Sequence, residues 1–283
     1  MKIFTLILTQ ILFTFVMQSC SEEPKEELPN KNNVVLDEPI LLPFESTNDL
    51  LDVKLKIKEK KFDKYNNLVL RFETAGIELG LPSQNEQSKG VVYSKDGAYL
   101  CIIFDGKLIQ KTNLLDSIVI PKIYGGSHFL NAFICRSWGE SLKNNESNIT
   151  DSIGVEIKTV DKKKTIEAKN SISIKDSLII DSTSLNDPFI FICSPNSEQF
   201  SINEGNNILL DFQCKNVVLS DSNFKIRVSI DGKNLGTIYD NKPRILAGTR
   251  KGVHLIKLEL LTSEGKITQG KYAVAERSFQ ITN

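Results

Sequence analysis

The stretch "KIRVSIDGKNLG", Lys225–Gly236, contains one strand, a tight turn and the start of a second strand. Ile226, Val228 and Ile230 alternate with polar residues, and this period of two is typical of a half-buried strand. Asp231-Gly232 follows at once, and an Asp-Gly pair between alternating apolar residues is a strong hairpin signal. The stretch therefore predicts an antiparallel β-hairpin with one buried face.

The same pattern occurs a second time in the chain. In "YLCIIFDGKLIQ", Tyr99–Gln110, the Asp-Gly-Lys turn precedes its later counterpart by 126 residues. The segments "GGSHFLNAF" and "RKGVHLIKL" place a histidine at the same offset. Two glycine pairs keep this register without a gap: Gly126 with Gly252, and Gly139 with Gly265. A shared register over some forty residues indicates two copies of one domain.

Short strand patterns dominate both copies. About seven strands with one buried face in roughly a hundred residues are typical of an immunoglobulin-like or fibronectin-like sandwich. We therefore predict an all-β chain with two tandem β-sandwich domains, residues 34–158 and 186–283, joined by an exposed linker at 159–185. The linker is charged, then serine-rich, and its Asp-Ser motifs resemble O-glycosylation sites of exported Bacteroidota proteins. In the first copy, "DVKLKIKEKKF" predicts an edge strand protected by lysines.

The N-terminus predicts export. "MKIFTLILTQILFTFVMQS", residues 1–19, has one lysine and a short apolar segment, the layout of a secretory signal peptide. Cys20 follows and the chain turns polar, so the junction resembles the lipobox of bacterial lipoproteins. The resemblance implies lipidation at Cys20, a flexible tether at 20–33, and an outer-membrane lipoprotein that is periplasmic or surface-exposed. An ordinary cleaved signal with an incidental cysteine is the alternative.

Charge composition argues against nucleic acid as a partner. The chain has 35 basic and 35 acidic residues, and the lysines are spread along it. A balanced chain lacks the long-range positive field that recruits nucleic acid. The sequence also has no metal-ligand spacing and no glycine-rich phosphate loop, so we expect no cofactor and no metal.

The two histidines are the first candidates for chemistry. His128 and His254 are the only ones in the chain, and each begins an apolar alternating run after a Gly-x pair. Parity places each imidazole toward the core where strand E crosses to strand F. Many sandwiches have a tyrosine there that bonds to the crossing loop, and imidazole has the donor and acceptor to do the same. We therefore predict a structural role for both.

The cysteines offer two candidate disulfides. If Cys20 carries lipid, four cysteines remain, an even number in a compartment that tolerates disulfides. Parity places Cys101 and Cys135 on the outer faces of two strands expected to pair. A hairpin folding near 203–206 brings Cys193 and Cys214 close to alignment. The alternative is that these residues are buried or unpaired thiols.

Two aromatic residues are candidates for a binding surface. Trp138 is the only tryptophan and lies in "SWGES", while Tyr124 lies on the preceding E–F crossing. A loop aromatic can stack on a sugar or anchor a partner. It can equally cap the end of the sandwich. The serine beside an acid in "SWGES" has no histidine nearby in sequence and is better explained as a turn.

With these landmarks in place, the chain resembles a group of uncharacterised Bacteroidota envelope lipoproteins with two tandem Ig-like domains. The segments that carry the resemblance are "AFICRSWGESLK" (Ala132–Lys143), "GAYLCIIFDG" (Gly97–Gly106) and "GVHLIKLEL" in the second copy. The resemblance covers most of the mature chain. Some relatives are labelled phosphopeptide-binding, a label that nothing in these residues supports physically.

The departures from that family remove its candidate site. Tyr99 and Cys101 stand where the family has a His-x-His pair, and Gly139 stands where it has a later histidine. Any metal or phosphate site formed by those histidines is therefore not carried over.

These features predict a non-enzymatic, lipid-anchored envelope protein that acts as a binding or assembly module, with an envelope protein or glycan as partner. A carbohydrate-binding accessory lipoprotein that serves a separate glycan-processing enzyme is the alternative.

Overall fold

The computed structural model describes residues 38–45, 50, 52–83, 91, 97–144, 148–157, 172–174, 187–195, 199–201 and 207–283. The predicted signal peptide, the tether and Cys20 lie outside these residues, as does most of the predicted linker. The described residues belong to one compact unit, Leu36–Asn283.

The regular secondary-structure elements of the described residues are all β-strands, which confirms the predicted all-β class. In chain order they are β1 Ile40–Pro43, β2 Lys54–Phe62, β3 Leu68–Ala75, β4 Tyr99–Phe104, β5 Lys107–Thr112, β6 Ile118–Ile120, β7 Gly126–Cys135, β8 Asn148–Ile157, β9 Ile172–Ile174, β10 Phe189–Ser194, β11 Gln199–Ser201, β12 Ile208–Lys215, β13 Lys225–Ile230, β14 Lys233–Ile238, β15 Arg244–Ala247, β16 Gly252–Leu261 and β17 Val274–Thr282.

The first sandwich packs a three-stranded sheet, β2-β3-β6, on a five-stranded sheet, β5-β4-β7-β8-β9. Its core contains Leu70 and Phe72 from β3, Ile102 from β4, and Leu130 and Ile134 from β7. β2 is an edge strand, as its alternating lysines predict. β9 comes from the predicted linker and pairs with β8.

The second sandwich packs β1-β15-β12-β10 on β11-β17-β16-β13-β14. Its core takes alternate residues from facing strands, among them Leu210, Phe212, Val228, Ile256 and Leu258. β11 runs parallel to β17, whereas the neighbouring pair β16 and β17 is antiparallel. The two sandwiches together confirm the predicted tandem Ig-like architecture.

The internal repeat extends further than its sequence landmarks. Strands β4 to β8 and β13 to β17 begin 126 residues apart, strand by strand. The first hairpin of each copy contains a bulge at the same place, after Ile102 and after Val228. The turn residues Asp105 and Asp231 have matching positive φ angles of 49° and 51°. The two copies therefore share turn geometry as well as strand order.

The two sandwiches dock through the outer face of the first five-stranded sheet. Phe129 of β7 contacts Phe189 of β10 at 5.0 Å between ring centroids and Tyr272 at 5.5 Å. The buried cluster at this junction consists of Tyr99, Cys101, Ile103, Phe129, Phe133, Cys135, Phe189, Phe191 and Cys193. We call it the docking cluster. Because β4 and β10 are covered on both faces, all of their residues are buried.

β1 links the sandwiches in a way that the predicted domain boundaries miss. It precedes the first sandwich in sequence, within the segment 34–158, yet it pairs with β15 of the second. Phe44 follows it and packs with Trp138 and Leu209, which come from different sandwiches. Strand pairing is non-local, so the apolar residues of "ILLP" do not indicate which sheet the strand joins.

The outer face of the first five-stranded sheet is covered, and the corresponding face of the second copy is exposed; their residues differ accordingly. Phe129 is buried in the docking cluster, while its counterpart Leu255 is 44% exposed. Cys101, Ile103 and Phe133 likewise correspond to the polar residues Arg227, Ser229 and Glu259 of the second copy. There Arg227 and Glu259 form an ion pair of 2.7 Å. The face is therefore apolar where it is covered and carries an ion pair where it is open.

A matched pair of substitutions tests this contrast. Phe129→Ala should lower the free energy of unfolding by about 3–5 kcal/mol, because it removes a buried aromatic side chain from the docking cluster and leaves a cavity. Leu255→Ala, one repeat later on the open face, should change it by no more than about 0.5 kcal/mol. Urea denaturation measures both. Equal losses at the two positions would contradict the docking.

Candidate functional site

Each histidine bonds to a turn and to a crossing loop. His128 Nδ1 lies 2.8 Å from Asp105 Oδ2, and its Nε2 lies 2.9 Å from the backbone oxygen of Tyr124. In the second copy, His254 makes the equivalent contacts to Asp231 at 2.7 Å and to the Arg250 oxygen at 2.7 Å. Both ring nitrogens of both imidazoles are thus engaged.

The aspartate of each pair also fixes the backbone. The amide of Phe129 donates to Asp105 at 2.9 Å, and the amide of Leu255 donates to Asp231 at 2.8 Å. We propose that both histidines are structural corner residues that tie the hairpin turn to the crossing loop. A His254→Asn variant with an unchanged free energy of unfolding would contradict that role.

Neither candidate disulfide is present in the structure, which has the thiols that the sequence left as the alternative. Cys101, Cys135, Cys193 and Cys214 are all thiols. Cys101 lies opposite Phe133, so Cys135 is its diagonal neighbour on the paired strand. Diagonal neighbours on paired strands are about 7–8 Å apart, and this separation between the two cysteines is too large for a disulfide.

The second pairing fails for a different reason. Cys193 lies at a bulge and faces the docking cluster, whereas Cys214 packs against the core of the second sandwich. Burial raises the pKa of Cys135 and Cys193 well above the usual range, and that of Cys214 to about 12. These thiols therefore resist ionisation and are poor nucleophiles.

Trp138 is not part of a binding surface. Its side chain is 2% exposed, and its indole nitrogen donates to Glu140 at 2.9 Å. It packs with Leu209 of β12 and Ile245 of β15, both in the second sandwich. The only tryptophan therefore anchors the docked sandwiches instead of facing a ligand.

The turn that carries Trp138, Arg136–Lys143, is buried between the sandwiches, and we call it the buried turn. Its Gly139 has φ 91°, and a Cβ there would lie 3.1 Å from Ser194 Oγ of β10. The close approach of the other sandwich and the positive φ both favour glycine at this position.

A polar network joins the buried turn to β12. Asp211 is 0% exposed and accepts hydrogen bonds from the Ser141 amide at 2.8 Å and from the Ser141 hydroxyl. Lys143 Nζ donates to Asp211 at 2.8 Å and to the Phe212 carbonyl. Gln213 donates to Ser141 Oγ and to the Leu142 carbonyl, both at 3.0 Å. Asp211 and Gln213 alternate with the core residues Leu210 and Phe212, so they face away from the core of their own sandwich, and the first sandwich covers that face.

This network has the residue types of a serine–lysine catalytic pair but not the chemistry. Lys143 Nζ lies 2.9 Å from Ser141 Oγ. Burial disfavours the ammonium, but the attraction of Asp211, together with smaller contributions from Cys193 and Cys214, outweighs it, so the pKa of Lys143 is raised. A general base must give up its proton near the working pH, and a raised pKa prevents this. Ser141 is also 1% exposed, out of reach of a substrate.

Of the two aromatic candidates for a binding surface, Tyr124 remains accessible. Its side chain is 72% exposed on the loop between β6 and β7. The structure adds Tyr65, 68% exposed, on the turn between β2 and β3. Hydrogen bonds join the two segments: Ile123 N to the Asn66 oxygen at 2.9 Å, and Lys122 N to Asn67 Oδ1 at 3.0 Å. Sequence reasoning missed Tyr65 because its neighbour in space is 59 residues away in the chain.

The described residues contain neither a candidate metal site nor a candidate membrane-spanning helix. There, no group of three or more histidine, cysteine or acidic side chains is placed to hold a metal ion. The same part of the chain contains no helix with the length and apolar character needed to cross a bilayer.

No protein-family model and no curated protein matches the chain. Solved structures that match include fibronectin(III)-like modules of CbhA from Clostridium thermocellum, 9% identical, over 81% of this chain and 94% of theirs, with a TM-score of 0.27. A second is SGBP-B of a Bacteroides ovatus mixed-linkage glucan utilization locus, 9% identical over 87% and 71%, TM-score 0.21. A third, the three N-terminal domains of the bacteriophage RB49 outer capsid protein Hoc, is 10% identical over 81% and 69%, TM-score 0.20. At such TM-scores these likenesses carry no argument about a site or a partner.

The buried ion pair generates a prediction with a pH dependence. Asp211→Ala leaves the Lys143 ammonium without its carboxylate and should cost about 3 kcal/mol of unfolding free energy. Asp211 raises the pKa of Lys143 in the folded protein. The ion pair therefore contributes fully to the free energy of unfolding at pH values below the pKa of lysine in the unfolded chain, about 10.4. That contribution is lost as the pH rises through the higher pKa of the folded state. The difference in unfolding free energy between the wild type and the Asp211→Ala variant should therefore become smaller above about pH 10.4.

The control for this pair is Asp240→Ala. Asp240 pairs with Arg244 at 2.8 Å, and its side chain is 47% exposed. Its loss should cost no more than about 1 kcal/mol. Denaturation of the three proteins at neutral and alkaline pH measures both effects. Equal costs for the two variants would show that the Lys143–Asp211 pair does not hold the sandwiches together.

Proposed function

We propose that the chain is a non-enzymatic, lipid-anchored protein of the bacterial cell envelope that acts as a binding or assembly module. The observation that carries the non-enzymatic part is the engagement of both histidines, whose ring nitrogens all lie within hydrogen-bonding distance of Asp105, Asp231 or a loop carbonyl. Histidine is the side chain that ordinarily titrates between pH 5 and 8. In this protein, both histidine side chains are held in contacts that stabilise the fold.

The buried polar residues support the same conclusion. Asp211, Ser141 and Lys143 bond to one another across the two sandwiches and not to an open cleft. Reactive groups that hold domains together are unavailable for turnover, because their movement would open the interface. What the fold offers to a partner is its outer surface of loops and open sheet faces.

The envelope location rests on the N-terminal sequence. A secretory signal at residues 1–19, followed by Cys20 and a polar tether, resembles the arrangement of a lipoprotein, and the outer membrane is the proposed destination. Docked sandwiches on a flexible tether present their binding loops in one fixed relative position. This suits a receptor or an assembly component that must reach a partner from a membrane.

For the carbohydrate-binding alternative, one of the two candidate aromatic residues is buried, while the structure adds an exposed tyrosine. Trp138 is buried, so it offers no stacking surface. Tyr124 and Tyr65 are both exposed and lie on segments that bond to each other. A glycan-binding role in the envelope is therefore compatible with the proposed binding module. Its candidate site is then the end of the first sandwich that carries Tyr65 and Tyr124, and not the turn that carries Trp138.

Cell fractionation tests the anchoring. Wild-type protein should sediment with membranes, and Cys20→Ala should appear in the soluble fraction, because the variant has no thiol to receive the lipid. Cys214→Ala, which removes a partly buried thiol elsewhere, is the control and should sediment as wild type does. Membrane retention of Cys20→Ala would contradict the proposal.

A further inference from the structure

The two most exposed aromatic side chains among the described residues lie at one end of the first sandwich. Tyr124 is 72% exposed and Tyr65 is 68% exposed. Most other aromatic rings in the described ranges pack in the cores or in the docking cluster. An exposed ring costs hydration free energy that a stacked ligand recovers.

The two tyrosines lie on neighbouring backbone segments. The Asn66 oxygen accepts a hydrogen bond from Ile123 N at 2.9 Å, and each tyrosine is the chain neighbour of one of these residues. Standard backbone dimensions therefore place the Tyr65 and Tyr124 Cα atoms within about 14 Å of each other. One oligosaccharide can reach both.

The backbone under Tyr65 is fixed by its own turn. Asp63 accepts hydrogen bonds from Tyr65 N at 2.7 Å, from Asn67 N at 3.0 Å and from Asn67 Nδ2 at 2.8 Å. Asn66, between them, has φ 65°, a conformation that asparagine tolerates better than most residues.

The backbone under Tyr124 is fixed by the histidine corner. Its carbonyl oxygen contacts His128 Nε2 at 2.9 Å, and the other ring nitrogen of His128 contacts Asp105. Both tyrosines are thus presented on backbone that is already ordered, which lowers the entropy cost of binding.

The surroundings favour a sugar over a protein partner. Tyrosine combines an apolar ring face with a hydroxyl, and this matches a pyranose, which has C–H faces and a hydroxyl rim. Lys64 Nζ lies over the Tyr65 ring, 4.9 Å from its centroid, and its flexible stem lets the ammonium move aside for a sugar and donate to ligand hydroxyls. A stable protein interface needs about 800 Å² per partner with an apolar centre. The adjoining sheet face instead carries the ion pairs Lys58–Glu73 and Arg71–Asp116.

We propose that Tyr65 and Tyr124 form a carbohydrate-binding platform at this end of the first sandwich. The inference rests on the proposed binding role and specifies its ligand class and its site. Both rings stack on sugar rings, and Lys64, which lies over the Tyr65 ring in the free protein, moves aside and donates to the sugar hydroxyls.

Native affinity electrophoresis tests the platform with the full chain in detergent. The probes are four neutral polysaccharides: a mixed-linkage β-glucan, a xylan, a mannan and an α-glucan. At least one should retard the wild-type protein. Tyr65→Ala and Tyr124→Ala should each weaken that binding tenfold or more, and the double variant should abolish it.

The matched control is Tyr239→Ala in the second sandwich, whose ring is 43% exposed. It should bind as wild type does, and all variants should keep the wild-type thermal midpoint, since these rings are exposed. Retardation by none of the polysaccharides, or full binding by the double variant, would overturn the platform.

Photo-crosslinking in intact cells separates this inference from the binding role. Benzoylphenylalanine is introduced in place of Tyr65 or Tyr124. Crosslinking to one envelope protein without polysaccharide binding would refute the carbohydrate platform and leave the binding module standing. Neither crosslinks nor polysaccharide binding would count against both. Crosslinked material that glycosidases digest would support the platform.

Discussion

Docking of the two sandwiches is the constraint on which the rest of this structure depends. One face of the first five-stranded sheet is covered by β10, and the buried turn fits against β12. The aromatic contacts around Phe129 supply apolar burial, which is non-directional. The Lys143–Asp211 pair supplies direction, because a buried charge is tolerated only where its partner meets it. Together they select one relative arrangement of the two domains.

Docking also explains how two copies of one domain have diverged. The shared parts, such as the His–Asp corner and the bulged hairpin, stabilise each sandwich internally and are kept in both. The outer face differs, because only the first copy has a neighbour to cover it. Arg227 and Glu259 on the second copy oppose a further docking event, since covering them would bury charge.

Much of the fold is predictable from the sequence because its signals are local. The Asp-Gly turns, the alternation in "KIRVSI" and the register of His128 with His254 each depend on a few adjacent residues. The interface depends on residues that are distant in sequence. Parity can show that Asp211 faces away from its own core but not that another sandwich covers it. The available signal was the continuous apolar run in "YLCIIF" and "FIFIC", typical of strands buried on both faces.

The same reasoning explains the fate of the candidate site residues. The disulfide pairings assumed strand registers that the protein does not adopt, since Cys101 lies opposite Phe133 and Cys214 lies opposite Ile190. Trp138 was ambiguous between a cap and a ligand platform because exposure is a tertiary property. Tyr65 was overlooked because the turn that carries it meets Tyr124 only in the folded protein.

Residual dipolar couplings of the backbone amides test the docked arrangement most directly. Two sandwiches held as one body align in solution with a single tensor. The account therefore predicts that couplings from residues of both sandwiches fit one common alignment tensor on this structure. Two tensors of different magnitude, as expected for domains that move independently on a linker, would contradict it.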